Sequence, residues 1–255
     1  MTQGAPFPGG ETPATPPAVQ PAARLTYRPY VSYILIGICV GVYLAQIAST
    51  SVWGIDVPSA WGVKNNAQIM SGQVWRLLTP IFLHGSILHI LFNMYALSYL
   101  GPSLERFYGH LRFLALFLVA GFAGNVISFM FSPHLSLGSS TAIFGLLGAQ
   151  GVLIYQNRVL FGNIARRALS QVVMIAVVNL IIGLTPGIDN WGHTGGLIGG
   201  TLFAWFGGPL LQKQGVFPPY TLADTRTRRE VILAAAGVGA LFIFLTVAAM
   251  YMQAG

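Results

Sequence analysis

Long apolar runs that contain no Asp, Glu, Lys or Arg recur along the chain from residue 30 onward. A membrane-spanning helix needs about 20 such residues, with a range of about 17 to 25. Seven runs qualify, and they cover residues 30–50, 86–104, 113–131, 140–157, 168–184, 191–211 and 231–253. Because lipid offers no partner to a bare backbone amide or carbonyl, each run is predicted to be helical. The predicted fold class is all-α, a polytopic membrane helical bundle of six spans plus a seventh C-terminal helix.

The composition excludes a soluble globular domain. Hydrophobic residues make up 54% of the chain and charged residues 7%, against about 45–50% and about 25% in an ordinary soluble domain. The net charge of +7 comes from basic residues that stand singly between apolar runs, which argues against nucleic-acid binding. The single cysteine, Cys39, rules out an intrachain disulfide. Neither a cofactor nor a metal is expected.

The chain divides into four parts. Residues 1–29 hold seven of the fifteen prolines and almost no large aliphatic side chains, which predicts a disordered arm. Residues 30–211 form the six-helix core, residues 212–230 a basic linker, and residues 231–255 the seventh helix.

The basic residues predict the orientation in the membrane, because Lys and Arg are enriched on the cytoplasmic side. Counting on alternate sides of the spans gives eleven basic residues on the side of the arm and two, Lys64 and Arg76, on the other. The arm and the linker are therefore predicted to be cytoplasmic. With seven spans in the cell membrane, the C-terminus is predicted to lie outside.

Polar side chains inside spans are costly and indicate function. His89 and Asn93 lie near the outer end of the second span, Ser140 opens the fourth, and His193 lies at the outer start of the sixth. They are therefore expected at one depth. Two further intramembrane residues, Asn125 and Asn179, are isolated, and we interpret them as interhelical hydrogen-bond donors.

The residue types narrow the chemistry. No HExxH zinc motif is present, and all six acidic residues lie outside the predicted spans, which disfavours a metalloprotease, an aspartyl protease and ion-coupled transport. A serine at a helix start has unpaired amides that can face a developing negative charge. His193 could act as general base for Ser140, while His89 and Asn93, four residues apart, could donate to one oxygen. Taken singly, each residue is better explained by backbone hydrogen bonding or helix packing, and the catalytic interpretation depends on their position together at one depth.

Four ordered motifs resemble the rhomboid intramembrane serine proteases. Residues 138–145, GSSTAIFG, resemble the GxSG segment, and residues 190–200 resemble the HxxGxxxG helix. The segment FLHGSILHILFN contains His84, His89 and Asn93 and is similar to the second-helix signature. Trp75 and Arg76 are similar to the loop motif. The resemblance covers about residues 30–210 and includes the six-plus-one arrangement of helices.

The resemblance implies a role for each matching residue. Ser140 is expected to be the nucleophile and His193 its dyad partner, with Asn93, His89 and the Ser140 amide binding the oxyanion. Phe144 is expected to pack against the His193 ring, and Arg76 and Glu105 to be structural anchors. Gly145, Gly196 and Gly200 are expected to allow close packing of the fourth and sixth spans.

The implied function is endoproteolysis of transmembrane segments of membrane-protein substrates near the outer face. One departure stands at residue 141, where Thr141 replaces the glycine of the family motif. We expect its methyl group to lengthen the contact between Ser140 and His193. The alternatives are a catalytically inactive rhomboid-like protein that binds transmembrane helices, and a small channel or transporter.

Overall fold

A computed structural model describes residues 28–215 and 221–254. The predicted disordered arm lies outside the described residues except for Arg28 and Pro29. Ten α-helices are found in the described part of the chain, namely α1 Tyr30–Trp53, α2 Val57–Gly62, α3 Asn66–Met70, α4 Ile87–Tyr108, α5 His110–Phe131, α6 Ser140–Gln156, α7 Arg158–Phe161, α8 Asn163–Ile182, α9 Asn190–Gly207 and α10 Arg228–Ala254. Two short 3₁₀ helices, Val74–Leu77 and Thr79–Phe82, precede α4, and two strands, β1 Leu211–Gln214 and β2 Thr221–Asp224, precede α10.

The seven predicted runs coincide with the long helices α1, α4, α5, α6, α8, α9 and α10, which confirms a polytopic helical bundle. Five of these are long and apolar enough to cross a membrane by length and composition. Of the other two, α6 has only 17 residues, and α9, with 18, is rich in glycine and polar residues at its start. They are the two helices that carry Ser140 and His193.

Side chains at the helix starts explain where α4 and α9 begin. The Ser86 hydroxyl accepts a hydrogen bond from the His89 amide at 3.1 Å, and the Asp189 carboxylate accepts one from the Gly192 amide at 2.9 Å. Both are N-caps, which satisfy first-turn amides that have no partner within the helix.

The centre of the bundle is formed by α5, α6 and α9, which pack against one another through small residues. A Cβ atom on Gly196 would lie 1.9 Å from the Thr141 carbonyl oxygen, and one on Gly200 would lie 2.3 Å from Gly145 Cα. A Cβ on Gly145 would lie 2.1 Å from Ala120 Cβ. The backbones of α6 and α9 therefore meet at a distance that only glycine permits.

Three details differ from the predictions. Helix α4 continues beyond residue 104, so Glu105 lies inside it, fully buried, and its carboxylate accepts from the Ser32 amide at 2.8 Å. The predicted linker contains the antiparallel pair β1–β2. Asn125 donates to the Leu77 carbonyl oxygen of a 3₁₀ helix, and Asn179 donates to Ile175 within its own helix. The prediction of a hydrogen bond between helices is therefore confirmed for Asn125, which links α5 to the 3₁₀ helix, and wrong for Asn179.

Candidate active site

The side chains of Ser140 and His193 meet where α6 and α9 begin. The Ser140 hydroxyl oxygen lies 2.9 Å from His193 Nε2. Each residue stands in the first turn of its helix, and the backbone contact of α6 with α9 fixes the separation of the two turns. At this distance, an unprotonated Nε2 can accept the hydroxyl proton.

An aromatic ring, and no acid, holds the imidazole. The Phe144 ring stacks on the His193 ring with centroids 4.3 Å apart and planes at 13°. His193 Nδ1 is buried and has no hydrogen-bond partner among the described residues. The nearby Asp189 carboxylate instead caps α9 and accepts from the Ser128 hydroxyl. Among the described residues, the His193 ring therefore contacts Ser140 and Phe144 and forms no hydrogen bond with an acidic side chain.

His89 lies against the turn that leads into Ser140. The Gly85 amide donates to His89 Nδ1 at 3.4 Å, which leaves the proton of a neutral ring on Nε2. A Cβ on Gly138 would lie 2.6 Å from His89 Nε2 and 3.6 Å from the Ser140 hydroxyl oxygen. Gly138 also has φ +127°, so a residue with a side chain is excluded there for two reasons.

Asn93 lies one turn further along α4 and is nearly buried. Its amide nitrogen donates to the His89 carbonyl oxygen at 2.9 Å, and no hydrogen bond joins it to Ser140 in the part of the chain described. A side-chain amide has two N–H groups, so one donor remains for another acceptor. The N-cap residue Ser139 makes no capping bond from its side chain within the described residues, and the first-turn amides of α6 stay available.

The expectation for Thr141 is wrong. The Ser140–His193 contact is not lengthened, because the Thr141 side chain fits between two glycines of the neighbouring helices. A Cβ on Gly124 of α5 would lie 2.6 Å from Thr141 Cβ, and one on Gly192 of α9 would lie 3.0 Å from its methyl group. The side-chain volume that Thr141 adds, relative to the glycine of the family motif, is accommodated by Gly124 and Gly192 on the facing helices.

A second serine–histidine pair is formed by the residue that precedes Ser140. His84 Nε2 is 3.3 Å from the Ser139 hydroxyl oxygen, and the His84 and His89 rings pack edge to face with centroids 5.2 Å apart. Burial, with a smaller contribution from nearby His89, lowers the pKa of His84 to about 4, so its ring is neutral at pH 7. The Gln46 side chain of α1 donates to the His84 carbonyl oxygen and accepts a hydrogen bond from the His84 amide. These contacts fix the loop that faces the Ser140 turn.

A cavity of about 510 Å³ opens beside the dyad between α4, α6 and α8. Phe144 contributes to its wall, which connects the cavity to the ring stacked on His193. The lining is mostly apolar, with Gln150, Gln171 and Asn179 as its amide side chains. No group of three or more His, Cys, Asp or Glu side chains suited to a metal occurs among the residues described.

The Rhomboid domain family model matches residues 71–210 of this chain, which is more than half of its length and contains the Ser140–His193 contact. The chain belongs to the rhomboid family. It is 38% identical over 216 residues to Rhomboid protease GluP of Bacillus subtilis (strain 168), covering 84% of this chain and 40% of that protein. It is 38% identical over 147 residues to RHOMBOID-like protein 7 of Arabidopsis thaliana, covering 57% of this chain and 45% of that protein. RHOMBOID-like protein 2 of the same plant is 33% identical over 189 residues, covering 72% of this chain and 59% of that protein.

This rhomboid family member is therefore a multi-pass membrane protein of a family that contains proteases acting on membrane proteins. The chain spans about half the length of the curated relatives that it matches, between 40% and 59% in these three. Its own activity and substrates are accordingly proposals.

The sequence does not indicate several residues that lie around the Ser140–His193 contact. Lys64 reads in the sequence only as a basic residue that indicates topology, yet its side chain is fully buried. The glycines Gly121 and Gly124, which face α6 from α5, form with Ala120 and Ala123 a small-residue stripe that is visible in the sequence AGFAG. The pairing of His84 with Ser139 had no signal in the sequence, because it depends on how the loop folds.

Proposed function

We propose that this protein is an intramembrane serine endopeptidase that cleaves transmembrane segments of membrane proteins near the outer face. The observation that carries the proposal is the 2.9 Å contact between the Ser140 hydroxyl and His193 Nε2, formed at the starts of two helices in backbone contact. The 38% identity to a rhomboid protease supports it.

In the proposed reaction, His193 Nε2 takes the proton of Ser140 as the hydroxyl oxygen attacks the substrate carbonyl carbon. The protonated ring then gives that proton to the leaving amine, and an acyl-enzyme on Ser140 remains. Water, deprotonated by the same ring, releases the second product. Stacking on Phe144 orients the imidazole, which supports a dyad that works without a third, acidic residue.

The negative charge on the tetrahedral intermediate would be stabilised by three kinds of donor. His89 Nε2 carries the proton when Nδ1 accepts from Gly85, and it faces the Ser140 turn. The second N–H of Asn93 and the backbone amide of Ser140 are the other two. Donors fixed before the reaction stabilise charge in the transition state at little cost of reorganisation.

The cavity beside Phe144 supports a transmembrane segment as substrate. It lies between α4 and α8, and α8 is the loosest of the candidate spans, with 11% of its most apolar stretch buried. A helix with so few packing contacts can move at small energetic cost. An extended substrate strand could therefore reach Ser140 from the lipid side.

The orientation follows from the basic residues. Ser140 begins α6, whereas Arg158 follows the end of α6. Ser140 therefore lies at the end of α6 opposite to Arg158, which belongs to the group of eleven basic residues. We propose that the arm is cytoplasmic and Gly255 external, which puts the dyad near the outer face. A reporter fused after Gly255 is expected to be active only in its exported form, and cytoplasmic activity there would contradict the orientation.

The test is cleavage of a single-span model substrate by the purified protein reconstituted in lipid. The wild-type protein is expected to cleave it, and Ser140→Ala at the same folded concentration is not. Ser139→Ala is the matched control. The Ser139 hydroxyl contacts His84 and not His193, so this variant is expected to retain activity. A wild-type protein that binds the substrate without cleaving it would favour the inactive, helix-binding alternative.

A further inference from the structure

Lys64 is a buried cation that the proposed reaction does not use. It lies in the outer loop between α2 and α3, and its side chain is fully buried. Its Nζ atom donates to the carbonyl oxygens of Ser132 at 2.8 Å and Ser128 at 3.3 Å, where α5 ends. Its backbone pairs in both directions with Ser136, at 2.9 and 3.2 Å. The positive charge is thus held against the negative end of a helix dipole.

Ser128 connects this cation to the helix that carries His193. Its hydroxyl donates to the Asp189 carboxylate, whose other oxygen accepts from the Gly192 amide at 2.9 Å. The Asp189 carbonyl oxygen accepts from the His193 amide at 3.1 Å. Three consecutive contacts therefore lead from the loop to the first turn of α9.

We propose that Lys64, Ser128 and Asp189 act together as positioning residues that hold the first turn of α9, and with it His193, at the distance that proton transfer from Ser140 requires. The inference rests on the proposed function, since it concerns the same dyad. None of the three residues touches the reacting atoms, so their effect is exerted through the turn.

Burial of the charged Lys64 side chain costs desolvation free energy. Burial lowers the pKa of Lys64 to about 8, and attraction by Asp189 opposes that shift. The side chain therefore remains mainly charged at pH 7. Methionine at residue 64 would retain most of the side-chain length and would remove the charge together with the hydrogen bonds to Ser132 and Ser128. If Lys64 had only a structural role, its replacement by methionine would leave turnover unchanged in the folded protein.

The experiment compares Lys64→Met, Asp189→Ala, the double variant and Asp189→Asn in lipid, at matched folded concentration. We measure kcat, KM, thermal stability and the rate of labelling by a serine-directed phosphonate. Lys64→Met and Asp189→Ala are each expected to lower kcat and the labelling rate by about 10-fold to about 10²-fold with KM unchanged, because small misplacement of a reacting group has effects of that size. Asp189→Asn should stay close to wild type, because the Asn oxygen can cap the helix as the carboxylate does and its NH₂ group can donate to the Ser128 hydroxyl.

The double variant distinguishes one shared path from two separate effects. If the residues act through the same turn, the double variant loses no more than the larger single loss. Lys213→Met, at an exposed lysine in β1, is the control for removal of a lysine charge and is expected to behave as wild type.

Unchanged kcat and labelling in folded Lys64→Met and Asp189→Ala would overturn the inference, as would fully multiplicative losses in the double variant. If Lys64→Met does not fold, the contrast between Asp189→Ala and Asp189→Asn, with Ser128→Ala as the second variant, decides. A wild-type protein that neither cleaves nor labels would instead overturn the proposed function, and this inference with it.

Discussion

The helices that carry the dyad and the helix that closes the neighbouring cavity pack in opposite ways. In α5, which contacts both α6 and α9, 61% of the most apolar stretch is buried, whereas the share in α8 is 11%. Helices α5, α6 and α9 pack through glycines at which an added Cβ would meet atoms of the neighbouring helix. Helix α8 instead contacts α6 through a small cluster of side chains that includes Leu147, Ala165 and Val172.

In the proposed function, the tightly packed helices hold the two reacting side chains, and the less buried helix α8 borders the path of the substrate. Misplacement of a reacting group by about 1 Å can cost about 10²-fold in rate, and the backbone contact between α6 and α9 restrains the distance between Ser140 and His193. The transmembrane substrate that we propose would need an opening toward lipid, and we expect it on the side of the bundle near α8, where the cavity lies. Variants on the two sides are therefore expected to differ in kind: on one side they affect chemistry and folding, on the other substrate binding.

The largest effect is expected at the dyad itself. Ser140→Ala removes the nucleophile and His193→Ala removes the base, so each is expected to abolish cleavage while the protein remains folded. Cleavage assays and thermal unfolding in lipid measure the two quantities separately. Retained turnover in Ser140→Ala, with loss in Ser139→Ala, would assign the nucleophile to the neighbouring serine.

The next largest effect is expected where the two helix backbones meet. In Gly196→Ala the new Cβ would lie 1.9 Å from the Thr141 carbonyl oxygen, and overpacking of this kind typically costs about 1 to 3 kcal/mol or more. Gly237→Ala in α10 is the matched control, because a Cβ there has no neighbour within 4 Å. Equal stability of the two variants in thermal unfolding would contradict the account of the core.

Loss of an oxyanion donor is expected to affect chemistry alone. Asn93→Ala should lower kcat by about 10²-fold to 10³-fold, the usual effect of removing one such donor, and leave KM nearly unchanged. Steady-state kinetics on the model substrate provide both constants. Equal losses in binding and in rate would indicate that Asn93 serves α4 packing instead.

A smaller effect is expected at Thr141, where volume and polarity can be separated. Thr141→Gly leaves a gap against Gly124 and Gly192 and introduces a flexible residue into α6, so we expect about 1 to 2 kcal/mol of destabilisation and no gain in turnover. Thr141→Val retains the volume and removes a buried hydroxyl that has no partner among the described residues, so it should equal or exceed wild-type stability. Faster turnover in Thr141→Gly would mean that the methyl group does strain the dyad.

The smallest effect on stability is expected in α8, the least buried of the candidate spans. Gln171→Ala, in the α8 wall of the cavity, should change unfolding free energy by less than about 0.5 kcal/mol and should alter KM severalfold with kcat unchanged. Ile164, which is exposed on the same helix and does not line that cavity, provides the control Ile164→Ala. An unchanged KM in Gln171→Ala, or an equal change in both variants, would argue against substrate access beside α8.

The sequence predicts the helices well because charge-free length is a direct physical requirement of the bilayer. It also brings Ser140, His193 and Phe144 together, because position at a helix start and spacing by one turn are readable from the motifs. It does not reveal how Thr141 is accommodated, since that depends on Gly124 of a helix whose rotation about its axis is set only by packing.

The buried polar contacts of the loop that contains Lys64 are equally hidden from the sequence. A lysine in a loop looks like a topology signal, and only the fold brings Lys64 to the end of α5, 64 residues away in sequence from Ser128. The end of α4 was predicted too early for a similar reason. A charged residue inside a span is expensive in isolation, but Glu105 accepts hydrogen bonds from the first amides of α1, which the sequence alone does not disclose.

The central claim is that Ser140 is an activated nucleophile, and covalent labelling tests it most directly. The wild-type protein in lipid is treated with a serine-directed phosphonate, and the modified residue is located by mass spectrometry. The account predicts a single adduct on Ser140 that His193→Ala prevents. An adduct on another serine, or a folded wild-type protein that carries none, would contradict it.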